Sequence, residues 1–167
     1  MARITNMPRG VLPIWIHDVS HPVSWKWFQY RDDVLLVQYT LNKVIAKDKI
    51  LDFKGKATRG PLGPEYPPVA PLKIDGIYGP KTHAAVLNYQ IGSSTVQADG
   101  DVDPVYKYIA GLTGDPISPR NLTIITTYSR FTMFKLNTDI LRLYGSLMDD
   151  NELPPEVQAA LRKPPSR

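Results

Sequence analysis

Apolar residues recur at intervals of three and four in two stretches of the chain. From Asp32 to Lys47 the recurring positions are Val34, Leu35, Val37, Leu41, Val44 and Ile45. From Phe131 to Met148 they are Met133, Leu136, Ile140, Leu143 and Leu147. Because this spacing places apolar side chains on one face of a helix, both stretches are predicted to be α-helices that pack against a partner.

Local signals predict two more helices. One runs from Pro80 to Ile91 and begins with proline, whose missing N–H has no helical partner at the first position. The other is short and runs from Pro155 to Arg162. The proline- and glycine-rich segment from Asp48 to Pro71 lies between the helix that ends at Lys47 and the helix that begins at Pro80. It is predicted to be a long loop, because proline torsions prevent regular helix there.

Two regions are rich in the β-branched and aromatic residues that favour strands. Asn121 to Tyr128 is one of them. Residues 11–30 hold two short runs of this kind, which predicts strands joined by a turn or loop from His17 to Pro22. The three tryptophans and the phenylalanine in this region are interpreted as core or interface anchors in preference to sugar-stacking residues.

A compact turn is predicted just before the helix at Pro80, within the sequence LKIDGIYGPKTHAAVLNYQ at 72–90. Asp75 is suited to accept backbone hydrogen bonds in the turn, and the two glycines that follow it are expected to adopt positive φ. The threonine is expected to bond a free N–H in the first helical turn. The residues expected to be structural are Asp75, Gly76, Gly79, Pro80 and Thr82. A faint echo of DGIYGP occurs in DGDVDP at 99–104.

The sequence at 72–90 resembles the signature of the small three-helix peptidoglycan-binding domain, in which an Asp-Gly-aromatic-Gly-Pro-x-Thr turn opens a helix that ends in an aromatic-Gln pair. DVLLVQYTL at 33–41 resembles the first helix of that family. The resemblance implies a module spanning 32–92, with 1–31 as an N-terminal extension with short strands and 93–167 as a C-terminal extension with a strand and two helices. The expected fold is mainly α (α+β overall), with a three-helix core, a long loop insertion and a long C-terminal helix.

The resemblance also implies a function, namely non-enzymatic binding of bacterial cell-wall peptidoglycan as part of a larger assembly. Exposed positions near the turn and along the helix edge are expected to contact glycan or stem peptide, because they offer stacking faces and charge. These positions are Tyr78, Lys81, His83 and Tyr89. The alternative is a structural or adaptor subunit of a phage tail or contractile secretion apparatus that uses the fold for protein contacts.

Residue supply limits the chemistry. The absence of cysteine excludes disulfides, thiolate metal ligands and a cysteine nucleophile. His17 and His21 have a spacing of four, but the proline that follows them favours a coincidental loop pair over a metal site. The glutamates, which lie in the proline-rich loop or near the C-terminus, lack the buried setting of a glycosidase acid; they are Glu65, Glu152 and Glu156. No enzyme activity, metal or cofactor is expected.

Charge and hydropathy add expectations about partners and location. The chain has 20 Lys and Arg against 16 Asp and Glu, and the basic segment Lys47 to Arg59 also contains acidic and apolar residues. This mixture favours a solvated surface loop over a nucleic-acid site. No run approaches the roughly 18 apolar residues of a membrane span, and no secretory signal is recognisable at the N-terminus. The expectation is therefore synthesis in the cytoplasm without a signal peptide. Together with the aromatic N-terminus, the long C-terminal helix and the function that the resemblance implies, this favours delivery to the cell envelope or incorporation into a virion.

Overall fold

The computed structural model describes residues 2–6, 15–47, 50–51, 57–59, 70–93, 96–105 and 131–162. Within these ranges the fold is mainly α with short strands, as predicted. The four helices of the described residues are α1 (Arg31–Ile45), α2 (Pro80–Ser93), α3 (Thr132–Tyr144) and α4 (Pro155–Leu161). The strands are β1 (Arg3–Asn6), β2 (Trp15–Asp18), β3 (Ile50–Leu51) and β4 (Ala57–Arg59). A short 3-10 helix, Asp150–Glu152, precedes α4.

All four predicted helices are confirmed, but α3 is shorter than expected. It ends at Tyr144 instead of Met148, because Gly145 adopts the left-handed conformation with φ of +78°. The N–H of Gly145 donates to the carbonyl of Leu141 at 2.8 Å, which closes the helix in the manner of a glycine C-cap. Met148 therefore follows the helix, where its side chain is still buried.

The prediction of two strands within 11–30 is wrong in its second half. Strand β2 forms from the first run and includes His17 and Asp18, which were expected to lie in a turn. Its antiparallel partner is β1, with Ile4 opposite His17. The second run forms no strand and makes a single bridge from Val23 to Val102, because its polar groups bond to a neighbouring turn described below.

The segment between α1 and α2 that was predicted to be a loop contains two short strands. Strands β3 and β4 pair there as a short antiparallel hairpin, in which Ile50 lies opposite Arg59. The interpretation of the whole segment as a loop is therefore wrong for these residues. The strand predicted at 121–128 lies outside the described residues.

Helix α1 lies at the centre of one hydrophobic core and contacts β2, α2, α3 and α4. The predicted burial of five side chains on α1 and α2 is confirmed; they are Val34, Val37, Leu41, Val86 and Tyr89. Residues before 32 and after 92 contribute to the same core, including Ile16, Met133 and Val157. None of the described helices has the length and apolarity needed to span a bilayer.

Candidate functional site

The side chain of Gln38 on α1 holds the turn that precedes α2. Its Oε1 accepts the backbone N–H groups of Asp75 at 3.1 Å and Gly76 at 2.9 Å. Its Nε2 donates to Asp75 Oδ1, the carbonyl of Ile77 and Thr82 Oγ1 at 3.1 to 3.2 Å. Together with the N–H of Ile77, the amide of Gln38 lowers the pKa of the Asp75 carboxyl. The expectation that Thr82 bonds a free N–H of the first helical turn is wrong, because its hydroxyl donates to the carbonyl of Ile77.

The two glycines of this turn have different roles. Gly76 has a φ of +71°, as predicted. The prediction of positive φ at Gly79 is wrong, because this residue precedes the helix in an ordinary conformation. Its carbonyl accepts the first helical hydrogen bond, from the N–H of His83 at 3.0 Å. Pro80 is the first residue of α2, as predicted.

The same arrangement recurs at the second turn, 99–104. Oε1 of Gln90 accepts the N–H groups of Asp99 at 3.1 Å and Gly100 at 2.7 Å. Its Nε2 donates to the carbonyl of Asp101 at 2.7 Å and to Thr132 Oγ1 at 2.9 Å. Gly100 has a φ of +76°. The faint sequence echo is therefore a structural repeat, with the equivalences Gln38 and Gln90, Asp75 and Asp99, Gly76 and Gly100, Thr82 and Thr132.

Two of the predicted ligand contacts are internal. Tyr78 is 4% exposed and its hydroxyl donates to the carbonyl of Gly100, which links the two turns. Tyr89 is 2% exposed and donates to Asp139 Oδ2 at 2.8 Å. Burial raises the pKa of both phenols. The expected exposure of Tyr78 and Tyr89 is wrong, because each hydroxyl finds an acceptor inside the protein.

The other two predicted contacts lie on the first turns of α2. Lys81 is exposed, as expected. His83 is half-buried, and its ring stacks on Trp25 with a centroid distance of 4.5 Å and an interplanar angle of 25°. Its ring also meets the Tyr78 ring nearly at right angles, at 6.1 Å. One face of the His83 ring is therefore covered by Trp25 and is not open to a ligand.

A segment that we call the aromatic loop, residues 24–30, lies against the first turn. The indole N–H of Trp25 donates to the carbonyl of Tyr78 at 3.1 Å. The side chain of Gln29 accepts the N–H of Tyr78 at 3.3 Å and donates to the carbonyl of Ser24 at 3.0 Å. These bonds attach the loop to the turn at both ends, which explains why the loop does not pair as a strand.

The apolar side chains of this loop face solvent. Trp25 is 55% exposed, Trp27 62% and Phe28 79%. Tyr30 is partly exposed, and Ile77 on the turn is 63% exposed. Core burial, one of the two roles expected for the aromatics of this region, is thus excluded for Trp25, Trp27 and Phe28. We call the group formed by Trp25, Trp27, Phe28, Tyr30 and Ile77 the aromatic surface.

A buried carboxylate anchors the edge of the aromatic surface. Asp33 on α1 accepts the N–H groups of Ser20 at 3.0 Å and His21 at 3.2 Å, and burial raises its pKa. His21 in turn stacks on Tyr30 with ring centroids 4.1 Å apart. Ser20, His21 and Asp33 do not form a catalytic triad, because Ser20 Oγ and Asp33 Oδ2 both lie near the same ring nitrogen, at 2.8 and 3.7 Å.

The structure also locates most of the side chains that were considered for metal binding and for glycosidase chemistry. No three His, Cys, Asp or Glu side chains within them are placed to hold a metal ion. Glu152 and Glu156 are exposed and form ion pairs with Lys43 and Arg31, each at 2.8 Å. Glu65 lies outside the described residues. Neither Glu152 nor Glu156 has the buried setting that a glycosidase acid needs, since both side chains are exposed.

A groove of about 870 Å³ lies elsewhere, between Trp15, Met148 and the 3-10 helix. Its acidic side chains already have partners in the protein. Asp149 accepts the N–H of Asn151 at 2.9 Å, and Asp150 bonds to the fully buried His17 at 2.7 Å. The groove therefore has weaker support as a ligand site than the aromatic surface.

The aromatic surface is the best candidate for a binding site in the described part of the chain. It combines large exposed aromatic side chains with a backbone that is hydrogen-bonded to a well-held turn. No protein-family model, curated protein or solved structure matches the chain.

Proposed function

We propose that the chain binds bacterial peptidoglycan through the aromatic surface and does not cleave it. The observation that carries this proposal is the exposure of Trp25, Trp27 and Phe28 on a loop that is fixed to the turn at 75–80. Aromatic rings held in place provide stacking area for the apolar faces of sugar rings at a low cost in conformational entropy. The supporting turn belongs to the segment that resembles the peptidoglycan-binding domain.

Charge supports the same ligand class. Lys81 is exposed on the first turn of α2, and Lys26 is 67% exposed on the aromatic loop, where it pairs with Asp101 at 2.8 Å. The stem peptides of peptidoglycan carry carboxylates, which such cations attract. The proposed contact set therefore keeps Lys81 and adds Trp25, Trp27 and Phe28, while the buried tyrosines have structural roles.

Removing an exposed ring of the aromatic surface is expected to weaken wall binding without unfolding the protein. Trp27→Ala and Phe28→Ala should each lower the affinity for purified sacculi by about tenfold, the loss typical of an aromatic anchor. Their thermal melting temperatures should stay close to that of the wild type, because both side chains are largely exposed. Binding isotherms from sacculus pelleting measure the first effect, and thermal melts measure the second.

Ile91→Ala provides the matched control for these variants, because Ile91 is an exposed apolar residue near the far end of α2. It should pellet like the wild type. Equal pelleting of wild type, Trp27→Ala and Phe28→Ala would contradict the assignment of the aromatic surface.

A separate prediction concerns catalysis. The protein should release no soluble fragments from peptidoglycan above a buffer control, from mildly acidic to neutral pH, because the described glutamates are exposed and ion-paired. Turbidity and reducing-end assays measure this. Sustained clearing that disappears in the Glu152→Gln/Glu156→Gln variant would refute the non-catalytic assignment.

The alternative function, an adaptor subunit of a phage tail or secretion apparatus, is favoured by one feature of the same surface. Phe28 is 79% exposed and has no polar group. Contiguous exposed apolar side chains commonly mark protein contacts. A wild-type protein that stays in solution with purified sacculi would favour the adaptor function over wall binding.

A further inference from the structure

We propose that His83 is a positioning residue that fixes the orientation of Trp25, with the second turn as its support. The inference rests on the proposed function of the aromatic surface. The His83 ring stacks on the Trp25 indole at 4.5 Å. The same ring lies against the backbone of Gly100, where an added Cβ would be only 2.1 Å from His83 Cε1. His83 thus connects the second turn to the exposed aromatic loop.

Hydrogen bonding does not account for this placement of His83. Its Nδ1 is buried and has no hydrogen-bond partner among the described residues. Leaving a buried polar atom unpaired has a cost, which the packing of the ring has to offset. Its two aromatic contacts, with Trp25 and Tyr78, provide that packing. The stacking on Trp25 therefore requires a flat ring at position 83 and does not depend on its being an imidazole.

Two contacts together define the orientation of the indole. The Trp25 N–H bonds to the carbonyl of Tyr78 and fixes one edge of the ring. A single hydrogen bond at an edge leaves the plane of the ring free to tilt, whereas stacking on His83 sets that plane. The support is itself held, because the N–H of Gly100 donates to Gln90 Oε1 and the carbonyl of Gly100 accepts from the Tyr78 hydroxyl. The second turn therefore supports the orientation of Trp25 through His83 and needs no contact of its own with the ligand.

A double-mutant cycle on sacculus binding tests this role. His83→Ala should weaken binding about three- to tenfold, because the freed indole must be ordered again when ligand binds. His83→Phe, which keeps a flat ring, should bind within about twofold of the wild type. In a Trp25→Ala background, His83→Ala should cause no further loss. Additive losses from His83→Ala and Trp25→Ala would overturn the proposal, since His83 would then act independently of Trp25.

Fluorine NMR provides a readout that does not depend on any ligand. In protein labelled with 5-fluorotryptophan, the Trp25 resonance is assigned by its loss in Trp25→Phe. It should move in His83→Ala and return towards its wild-type position in His83→Phe, while the Trp27 resonance stays unchanged. An unmoved Trp25 resonance in His83→Ala would overturn the proposal whatever the ligand.

The two measurements separate this inference from the proposed function. If the Trp25 resonance moves as expected but no variant pellets with sacculi, His83 positions Trp25 and peptidoglycan is the wrong ligand. If His83→Ala proves unfolded by thermal melting, His83→Leu takes its place, because leucine fills the volume without supplying a flat face. A Trp25 resonance in His83→Leu identical to the wild type would then refute the role of the ring.

Discussion

Replacement of Asp139 by alanine is expected to lower the free energy of unfolding by about 3–5 kcal/mol. Asp139 is fully buried on α3, where it accepts bonds from Lys135 Nζ at 2.6 Å and from the Tyr89 hydroxyl at 2.8 Å. Lys135 is only 3% exposed. The variant would leave a buried ammonium and a buried hydroxyl without this carboxylate. Breaking one side of a buried ion pair is costly because the remaining charge has lost its water and its counterion.

The upward shift of the Asp139 pKa indicates that desolvation is the largest cost of keeping this carboxylate charged. Burial raises this pKa even though Lys135 opposes the shift, so desolvation outweighs the attraction of the lysine. Burying the charged Lys135–Asp139 pair therefore costs free energy, and removing only one of its two charges costs more. Removing both charges in Lys135→Met/Asp139→Leu should restore most of the stability lost in Asp139→Ala.

An exposed ion pair supplies the control for this prediction. Lys43 and Glu152 lie 2.8 Å apart, with side-chain exposures of 30% and 52%. Because solvent screens such a pair, Glu152→Ala should change the free energy of unfolding by about 1 kcal/mol or less. Urea unfolding measures all three variants. An Asp139→Ala protein no less stable than Glu152→Ala would show that the buried pair does not matter to the fold.

The sequence located those parts of the fold that depend on local patterns. The spacing of apolar residues predicted α1 and α3, because burial of one helix face directly produces that spacing. Turn chemistry predicted positive φ at Gly76 and the helix start at Pro80. Gly145 lay within the predicted third helix, where a lone glycine inside a periodic pattern marks a possible end.

The candidate site was harder to predict, because its determinants are distant in sequence. The hydroxyl of Tyr78 finds its acceptor 22 residues away, and that of Tyr89 finds its acceptor 50 residues away. A tyrosine suits both a ligand surface and a buried hydrogen bond, so the residue type alone did not distinguish them. Trp27 and Phe28 depart from the usual burial of large aromatics, and nothing in their local pattern indicates it.

The structural repeat illustrates the same limit. Gln38 and Asp75 are 37 residues apart, whereas Gln90 and Asp99 are 9 apart. A fixed period is the usual sequence sign of a repeat, and the segment between α1 and the first turn removes it. The echo of DGIYGP in DGDVDP is visible in the sequence, whereas the helical glutamine that holds each Asp-Gly turn is recognised only in the fold.

The second turn makes the strictest demand on a single residue, so Gly100→Ala is expected to destabilise the protein by about 2–5 kcal/mol. The first part of this cost is the left-handed backbone, with φ of +76°, which costs a residue with a Cβ about 1–2 kcal/mol. The second part is overlap of the new Cβ with His83 Cε1 at 2.1 Å, and overpacking costs about 1–3 kcal/mol. The ring cannot move away without disturbing its stack on Trp25.

Substitutions at two other glycines separate the backbone cost of Gly100→Ala from its overlap cost. Gly145 has a φ of +78° but no described atom within 4 Å of its ideal Cβ, so Gly145→Ala should show the backbone cost alone. Gly79 has neither positive φ nor a described atom within 4 Å, so Gly79→Ala should be close to neutral. In Gly100→Ala/His83→Ala the overlap is removed, and this double variant should lose less stability than the separate effects of its two substitutions combined.

Urea unfolding of this series, read together with the Trp25 fluorine resonance, tests the support that the second turn gives to the aromatic surface. Gly100→Ala should move that resonance, because the displaced His83 ring no longer sets the plane of the indole, whereas Gly145→Ala should leave it in place. If Gly100→Ala and Gly145→Ala were equally stable and both left the resonance unmoved, the contact between Gly100 and His83 would have no energetic role. The second turn would then be a repeat of the first in geometry only.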